Sequence, residues 1–197
     1  MTLREAVVVD AVRTPIGRFG GSLAPLGASD LGALAVKALL ERTGLPGCEV
    51  GHVIMGCTLQ FGENAYLARL SAVKAGIPVG TPALTVNRLC GSGLEAVNEA
   101  ARLIQLGLAD ACIAGGSESM SNAPYYTTQA RWGARLGDAS LTDGVVAVLT
   151  DPMLKAHMGL TAENLAEKYG IRRQEQDAFA VESHRKAVKA MAEGRFA

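Results

Sequence analysis

Apolar positions along the chain follow two habits. Val7, Val8 and Val9 form a continuous apolar run that stops at Asp10, and Val53, Ile54 and Met55 form a second run flanked by glycines. Runs of this kind suit strands buried on both faces. Between them the period lengthens. Ser29 is placed to cap a helix whose apolar positions Leu31, Leu34, Ala38 and Leu39 share one face, closing at Gly44 with Pro46 beyond. The same reading predicts a helix over 65–74, a strand over 83–86, a helix over 92–106 and a strand over 109–114. This β-α-β alternation predicts an α/β fold with a mixed, largely parallel sheet and helices packed on it. After Gly115-Gly116 the pattern breaks, and from Met120 to about Pro152 no period is sustained. Thr161 then opens a short helix ending at Gly170, and a longer one follows from about Arg173, stopping at Gly194.

Composition narrows the functional classes. Of 197 residues, 49% are hydrophobic and 19% charged, so apolar surface is ample to offset chain entropy and disorder is excluded. Lys and Arg number 19, Asp and Glu also 19. That balance argues against a nucleic-acid footprint or a polybasic membrane patch and for a small-molecule or protein partner. No segment approaches the length of a membrane span and none reads as a signal peptide, so a cytoplasmic location is expected. Cys48, Cys57, Cys90 and Cys112 lie far apart, without the paired spacings of zinc or redox sites. They read as reduced thiols, Cys48, Cys57 and Cys112 as packing residues, and no metal is expected.

The segment Asn87-Arg88-Leu89-Cys90-Gly91-Ser92-Gly93 lies where a predicted strand gives way to a predicted helix. In that helix Leu94, Val97, Ala101, Ile104 and Leu108 repeat at alternating spacings of three and four. Cys90 would stand at the helix N-terminus, where unpaired N–H groups and the helix dipole favour a thiolate. Lowering a cysteine pKa from about 8.5 to about 7 raises the thiolate fraction at neutral pH from roughly 3% to roughly 50%. Gly91 and Gly93 leave room for an acyl donor beside the sulfur and beside the Cys90 backbone N–H, a candidate oxyanion donor. The plain alternative is a small buried hydrophobe beside glycines that permit tight packing.

Five segments in order decide between them, because together they resemble the thiolase family. These are Asp10 to Gly17, Asn87 to Gly93, Ala114 to Ser121 (with Ser117 where many members carry Met), His157 to Asn164, and Gln174 to Ala180. The resemblance implies a thiolase-like α/β domain over 1–120, followed by part of a mostly helical loop domain over 121–197 that serves substrate binding and oligomerisation. It implies an acyl-CoA acyltransferase that forms or cleaves 3-ketoacyl-CoA by a Claisen reaction, most simply acetyl-CoA C-acetyltransferase acting on acetyl-CoA. Cys90 matches the cysteine that takes the acyl group. His157 and Met158 match positions lining the acyl and pantetheine pocket, and Leu149 a pantetheine contact. No cofactor is implied beyond the coenzyme A of the substrate, and the complete enzyme is expected to be a homodimer or homotetramer.

Departures from the family pattern are also legible. In Gly62 to Arg69, Leu67 replaces the family's proline and Tyr66 its asparagine, while Arg69 is in place. The excursion over 125–150 matches only loosely. The family's second half carries a His in a Gly-His-Pro segment and a second Cys in a Cys-x-Gly segment, and neither has a counterpart here. On that reading the C-terminal catalytic half is absent. Loss of one positioned acid or base costs about 10²- to 10⁴-fold, so this chain alone is expected to be inactive in condensation. The alternatives are a longer-chain 3-ketoacyl-CoA thiolase, a ketoacyl synthase, and a non-catalytic thiolase-half assembly subunit.

Overall fold

The computed structural model describes residues 3–196 and falls into two compact units, one ending at Val148 and one beginning at Leu149. The division at 120/121 expected from sequence lies inside the first unit, at the turn Met120–Asn122.

The first unit is built on three strands, β1 (His52–Gly56), β2 (Ala83–Val86) and β3 (Cys112–Gly116), in the order β2-β1-β3. Both pairings are parallel, Val53 opposite Ala83 and Ile113. Each strand is joined to the next by a crossover helix: α2 (Leu67–Lys74) between β1 and β2, α3 (Ser92–Gln105) between β2 and β3. Alternation along β1 divides the core between its two faces. Val53 and Met55 join Val36 of α1 (Ala28–Thr43) and Leu67, Ala68 and Ala72 of α2 on one side. Ile54 meets Ala96 and Ala100 of α3 on the other. Burial on both faces explains why the strand reads as an uninterrupted apolar run.

Several expectations need correction. Val7, Val8 and Val9 form no strand, since residues 3–18 carry no helix or strand at all and Val9 is 82% exposed. β1 is already paired on both sides. The run alone names no ladder partner, and here its side chains stay open to solvent. The strand expected over 109–114 forms at Cys112–Gly116, because the glycines continue the ladder opposite Met55 and Gly56. The face of α1 is also different: Ala28, Ser29, Gly32, Ala33 and Val36 are buried while Leu34 is half exposed. Size decides this. A Cβ on Gly32 would lie 2.5 Å from the Ser71 hydroxyl of α2, so only a stripe of small residues allows the two helices to approach this closely. Ser29 does not cap α1 either. Gly27 is the N-cap, with its N–H donating to Asp30 at 3.1 Å, and Ser29 accepts instead from the Lys74 ammonium at 2.8 Å.

Helix α2 begins at Leu67 after a 3₁₀ turn over Gly62–Tyr66. The first helical position needs no N–H and therefore favours proline. Leu67 fills that place by complete burial, and the following Ala68 N–H is satisfied by Thr85 at 3.1 Å. Arg69 donates to the carbonyls of Val79 and Thr81 at 3.1 and 2.8 Å, fastening α2 to the segment that enters β2. The excursion holds a short antiparallel pair, β4 (Tyr125–Tyr126) with β5 (Thr142–Asp143), then α4 (Gly144–Val148).

The second unit is two helices, α5 (Met158–Tyr169) and α6 (Arg173–Ala192), both with exposed surfaces and both ending near the glycines read from sequence. Among the described residues no helix is long and apolar enough to cross a membrane, and no group of His, Cys, Asp or Glu could hold a metal ion.

Candidate active site

Three parallel strands deliver their carboxyl ends to one rim, so the segments that follow them, Cys57–Leu59, Asn87–Cys90 and Ser117–Glu118, become neighbours. In open α/β sheets ligands bind at such a rim. Cys90 is exposed there, one residue before Gly91, the N-cap of α3. The nucleophile candidate thus stands at the approach to the helix and not within its first turn. The exposed position removes the reading of Cys90 as a buried hydrophobe.

The preceding turn is held from several directions. Leu89 has φ +47°, a left-handed conformation costing a non-glycine residue about 1–2 kcal/mol. Its N–H donates to the Asn87 side chain at 3.0 Å, and its carbonyl accepts from the Ser92 hydroxyl at 2.6 Å, the Ser92 N–H at 3.0 Å and the Thr58 hydroxyl at 3.2 Å. Asn87 also donates to the Thr58 carbonyl at 3.1 Å. Gly91 N–H returns to the Arg88 carbonyl at 3.0 Å. The two N–H groups after Cys90 are therefore used by the turn. Of the donors at this point, the Cys90 N–H is the one the oxyanion role would need.

Glycines set how closely the rim packs. A Cβ on Gly56 would come within 2.6 to 2.7 Å of the Ser92 and Gly93 backbone, so β1 touches the start of α3 directly. A Cβ on Gly93 would meet no atom within 4 Å, whereas at Gly91 the Arg88 carbonyl lies 3.3 Å away.

Glu118 occupies the rim's third corner. Its carboxylate accepts from Thr58 N–H at 2.7 Å, Leu59 N–H at 3.2 Å and the Cys57 thiol at 3.3 Å. Burial first, and then the adjacent Glu118 charge, push the Cys57 thiol up to about 12. Cys57 is thus held as a thiol and serves as a donor. Burial also raises Cys112. Cys48, read as a packing residue, is exposed in the 3₁₀ turn Gly47–Glu49, where no core reaches it.

Leu149, His157 and Met158 come together in the second unit, and Cys90 belongs to the first. A hairpin joins the three: Met158 N–H donates to the Leu149 carbonyl at 2.9 Å, and Thr150 bridges His157. Asp151 closes its loop by accepting from Met153 and Leu154 N–H at 2.7 and 2.8 Å. His157 caps α5, its Nδ1 accepting from Gly159 N–H at 3.0 Å. This fixes Nδ1 as the acceptor and leaves Nε2 as the protonated nitrogen of the neutral ring. The sequence placed the helix start at Thr161. Its hydroxyl instead donates back to the Met158 carbonyl at 2.6 Å, a bond available to threonine inside a helix.

The roles of Thr58 and Glu118 at the rim were not read from sequence. The one signal available was an acidic residue two positions after a strand that ends in glycines.

Comparison with known proteins completes the site's description. The model of the thiolase N-terminal domain matches residues 6–197. A beta-ketothiolase, BktB, of Cupriavidus necator is 52% identical over 194 residues, 98% of this chain and 49% of the relative. An acetyl-CoA acetyltransferase of Pseudomonas aeruginosa is 49% identical over 195 residues, 98% of this chain and 50% of the relative. Among solved structures, the Bacillus anthracis acetyl-CoA acetyltransferase superimposes with a TM-score of 0.95 at 42% identity, covering 99% of this chain and 50% of the other. Human mitochondrial 3-ketoacyl-CoA thiolase in complex with CoA gives 0.90 at 42% identity, covering 94% and 48%. The chain spans about half the length of the curated relatives it matches. With its parallel sheet, its cysteine turn and this match over nearly every residue, the chain belongs to the thiolase family, within that family's N-terminal domain.

Proposed function

We propose that this chain is the acyl-accepting part of an acetyl-CoA C-acetyltransferase, a thiolase that forms or cleaves acetoacetyl-CoA through a thioester on Cys90. The observation that carries the reading is the exposed Cys90 on a turn fixed at the carboxyl rim of a parallel sheet. The Cys90 thiolate attacks the thioester carbonyl of acetyl-CoA, the Cys90 N–H faces the developing oxyanion, and CoA leaves as a thiolate. The acetyl group stays activated because one thioester replaces another, and the covalent intermediate divides one hard step into two. No metal or prosthetic group is required for this exchange. Leu149, His157 and Met158 are proposed to form the acyl and pantetheine surface, with His157 Nε2 as a donor. Condensation further needs a base that removes the α-proton of a second acetyl-CoA. The family resemblance assigns that base to a segment outside these residues. The whole enzyme is proposed to act as a homodimer or homotetramer.

A second reading, a longer-chain 3-ketoacyl-CoA thiolase, is favoured by the similarity to the human mitochondrial protein of that name. Parallel incubations with acetyl-CoA, octanoyl-CoA and an acetyl-carrier protein, quenched in acid and read by intact mass, separate the readings. The proposal expects an acetyl adduct from acetyl-CoA that is lost in Cys90→Ser. An adduct from octanoyl-CoA alone supports the longer-chain enzyme, and one from the carrier protein alone a ketoacyl synthase.

A further inference from the structure

We propose that Glu118 is a positioning residue for Cys90, acting through Thr58 and the Asn87–Leu89 turn. The inference rests on Cys90 being the acyl acceptor, while the contacts that carry it lie on the opposite side of the rim. Glu118 does not touch Cys90. Its carboxylate gathers three donors from the segment after β1, the N–H groups of Thr58 and Leu59 and the thiol of Cys57. Three donors on one carboxylate fix the Thr58 peptide, since charge-assisted bonds are roughly twice as strong as neutral ones. Thr58 then reaches the cysteine turn twice. Its carbonyl accepts from Asn87 and its hydroxyl donates to the Leu89 carbonyl. Asn87 in turn accepts the Leu89 N–H. Both peptide groups flanking the left-handed Leu89 are thereby bound to one scaffold, and Leu89 is the residue whose conformation aims Cys90. Residues in strained regions of backbone space persist only where their surroundings over-determine them. Glu118 supplies that determination from β3, the strand farthest along the sheet from β2, which leads into the cysteine. The Cys57 thiol, protonated throughout the working range, keeps one carboxylate oxygen occupied and so fixes its orientation.

The test measures second-order alkylation of Cys90 by iodoacetamide in the 197-residue chain, normalised to the exposed Cys48 outside this network, and acetylation of Cys90 by acetyl-CoA. Misplacement by about an ångström can lower reactivity up to 10²-fold. Glu118→Gln replaces one acceptor oxygen by a donor facing backbone N–H groups and should lower acetylation about tenfold. Asn87→Ala should act similarly, and the double variant should be no slower than the slower single, because members of one chain of contacts are non-additive. Thr58→Val should lower the Cys90-to-Cys48 ratio, while Thr58→Ser, which keeps the hydroxyl, should restore it. The Thr58 pair decides the matter even if Glu118→Gln does not fold. Effects that multiply in the double variant, or a lower melting temperature with an unchanged Cys90-to-Cys48 ratio, would overturn the proposal. A wild-type chain that never gains an acetyl group refutes the functional reading alone, since the alkylation arm still reports on positioning.

Discussion

At the scale of residues, the cysteines separate by environment, and that separation is testable. Cys57 is buried and held as a thiol by its surroundings and by Glu118, so its pKa lies above the ordinary thiol value, near 12. A raised pKa means that the unfolded chain releases this proton first as pH rises. The contribution to stability is therefore complete below about pH 9 and is lost between there and about pH 12. Cys57→Ser retains a donor to Glu118 without titrating in this window. Thermal melts at pH 7 and pH 10.5 should show a smaller loss for the variant than for wild type; equal losses would remove Cys57 from the account. Gly56 makes a steric prediction. Any side chain there meets the Ser92 and Gly93 backbone, which has no flexible end to move aside. Gly56→Ala should cost about 1–3 kcal/mol in urea unfolding, as overpacking of a close contact does. The Cys90 motif was legible in sequence because a Gly-flanked cysteine at a strand-to-helix junction is a local pattern. The holding network was not, because Thr58, Asn87 and Glu118 are brought together by strand order, which no local pattern encodes.

Elements show the same division between local and tertiary signals. Helices α5 and α6 end where glycines end them, and α3 and β2 occupy nearly the residues their periods predict. The face that α1 buries was missed because its contact with α2 selects small residues, not the largest apolar ones. The start of α1 also depends on a tertiary partner. Asp30 accepts from Lys74 of α2 and from the Gly27 N–H, and both, the Lys74 bond more strongly, hold its carboxyl below the usual range. A depressed pKa stabilises the fold above the unfolded value of about 3.9 and loses that contribution as pH falls through the folded value. Asp30→Asn should therefore cost about 0.5–1 kcal/mol at pH 7, an amount limited by the exposure of the pair. Melting curves of wild type and variant should differ at neutral pH and converge as acid protonates Asp30. A gap that persists in acid would assign the effect to packing.

For the molecule as a whole, the amphipathic pattern of α3 is a prediction about association. Its Ala96 and Ala100 face is packed against the sheet, whereas Leu94 and Val97, on the repeat read from sequence, are exposed, as are Leu108 beyond the helix and Val7 to Val9. Open apolar side chains favour association. Sedimentation velocity at micromolar concentration should show self-association, and a monodisperse monomer would contradict it. One sulfur among four is assigned the acyl group, and peptide mapping after incubation with acetyl-CoA tells it from the others. An acetyl group is expected on the Cys90 peptide and on none of the peptides bearing Cys48, Cys57 or Cys112. Acetylation of exposed Cys48 to the same extent, or a Cys90 peptide that remains unmodified, would contradict it.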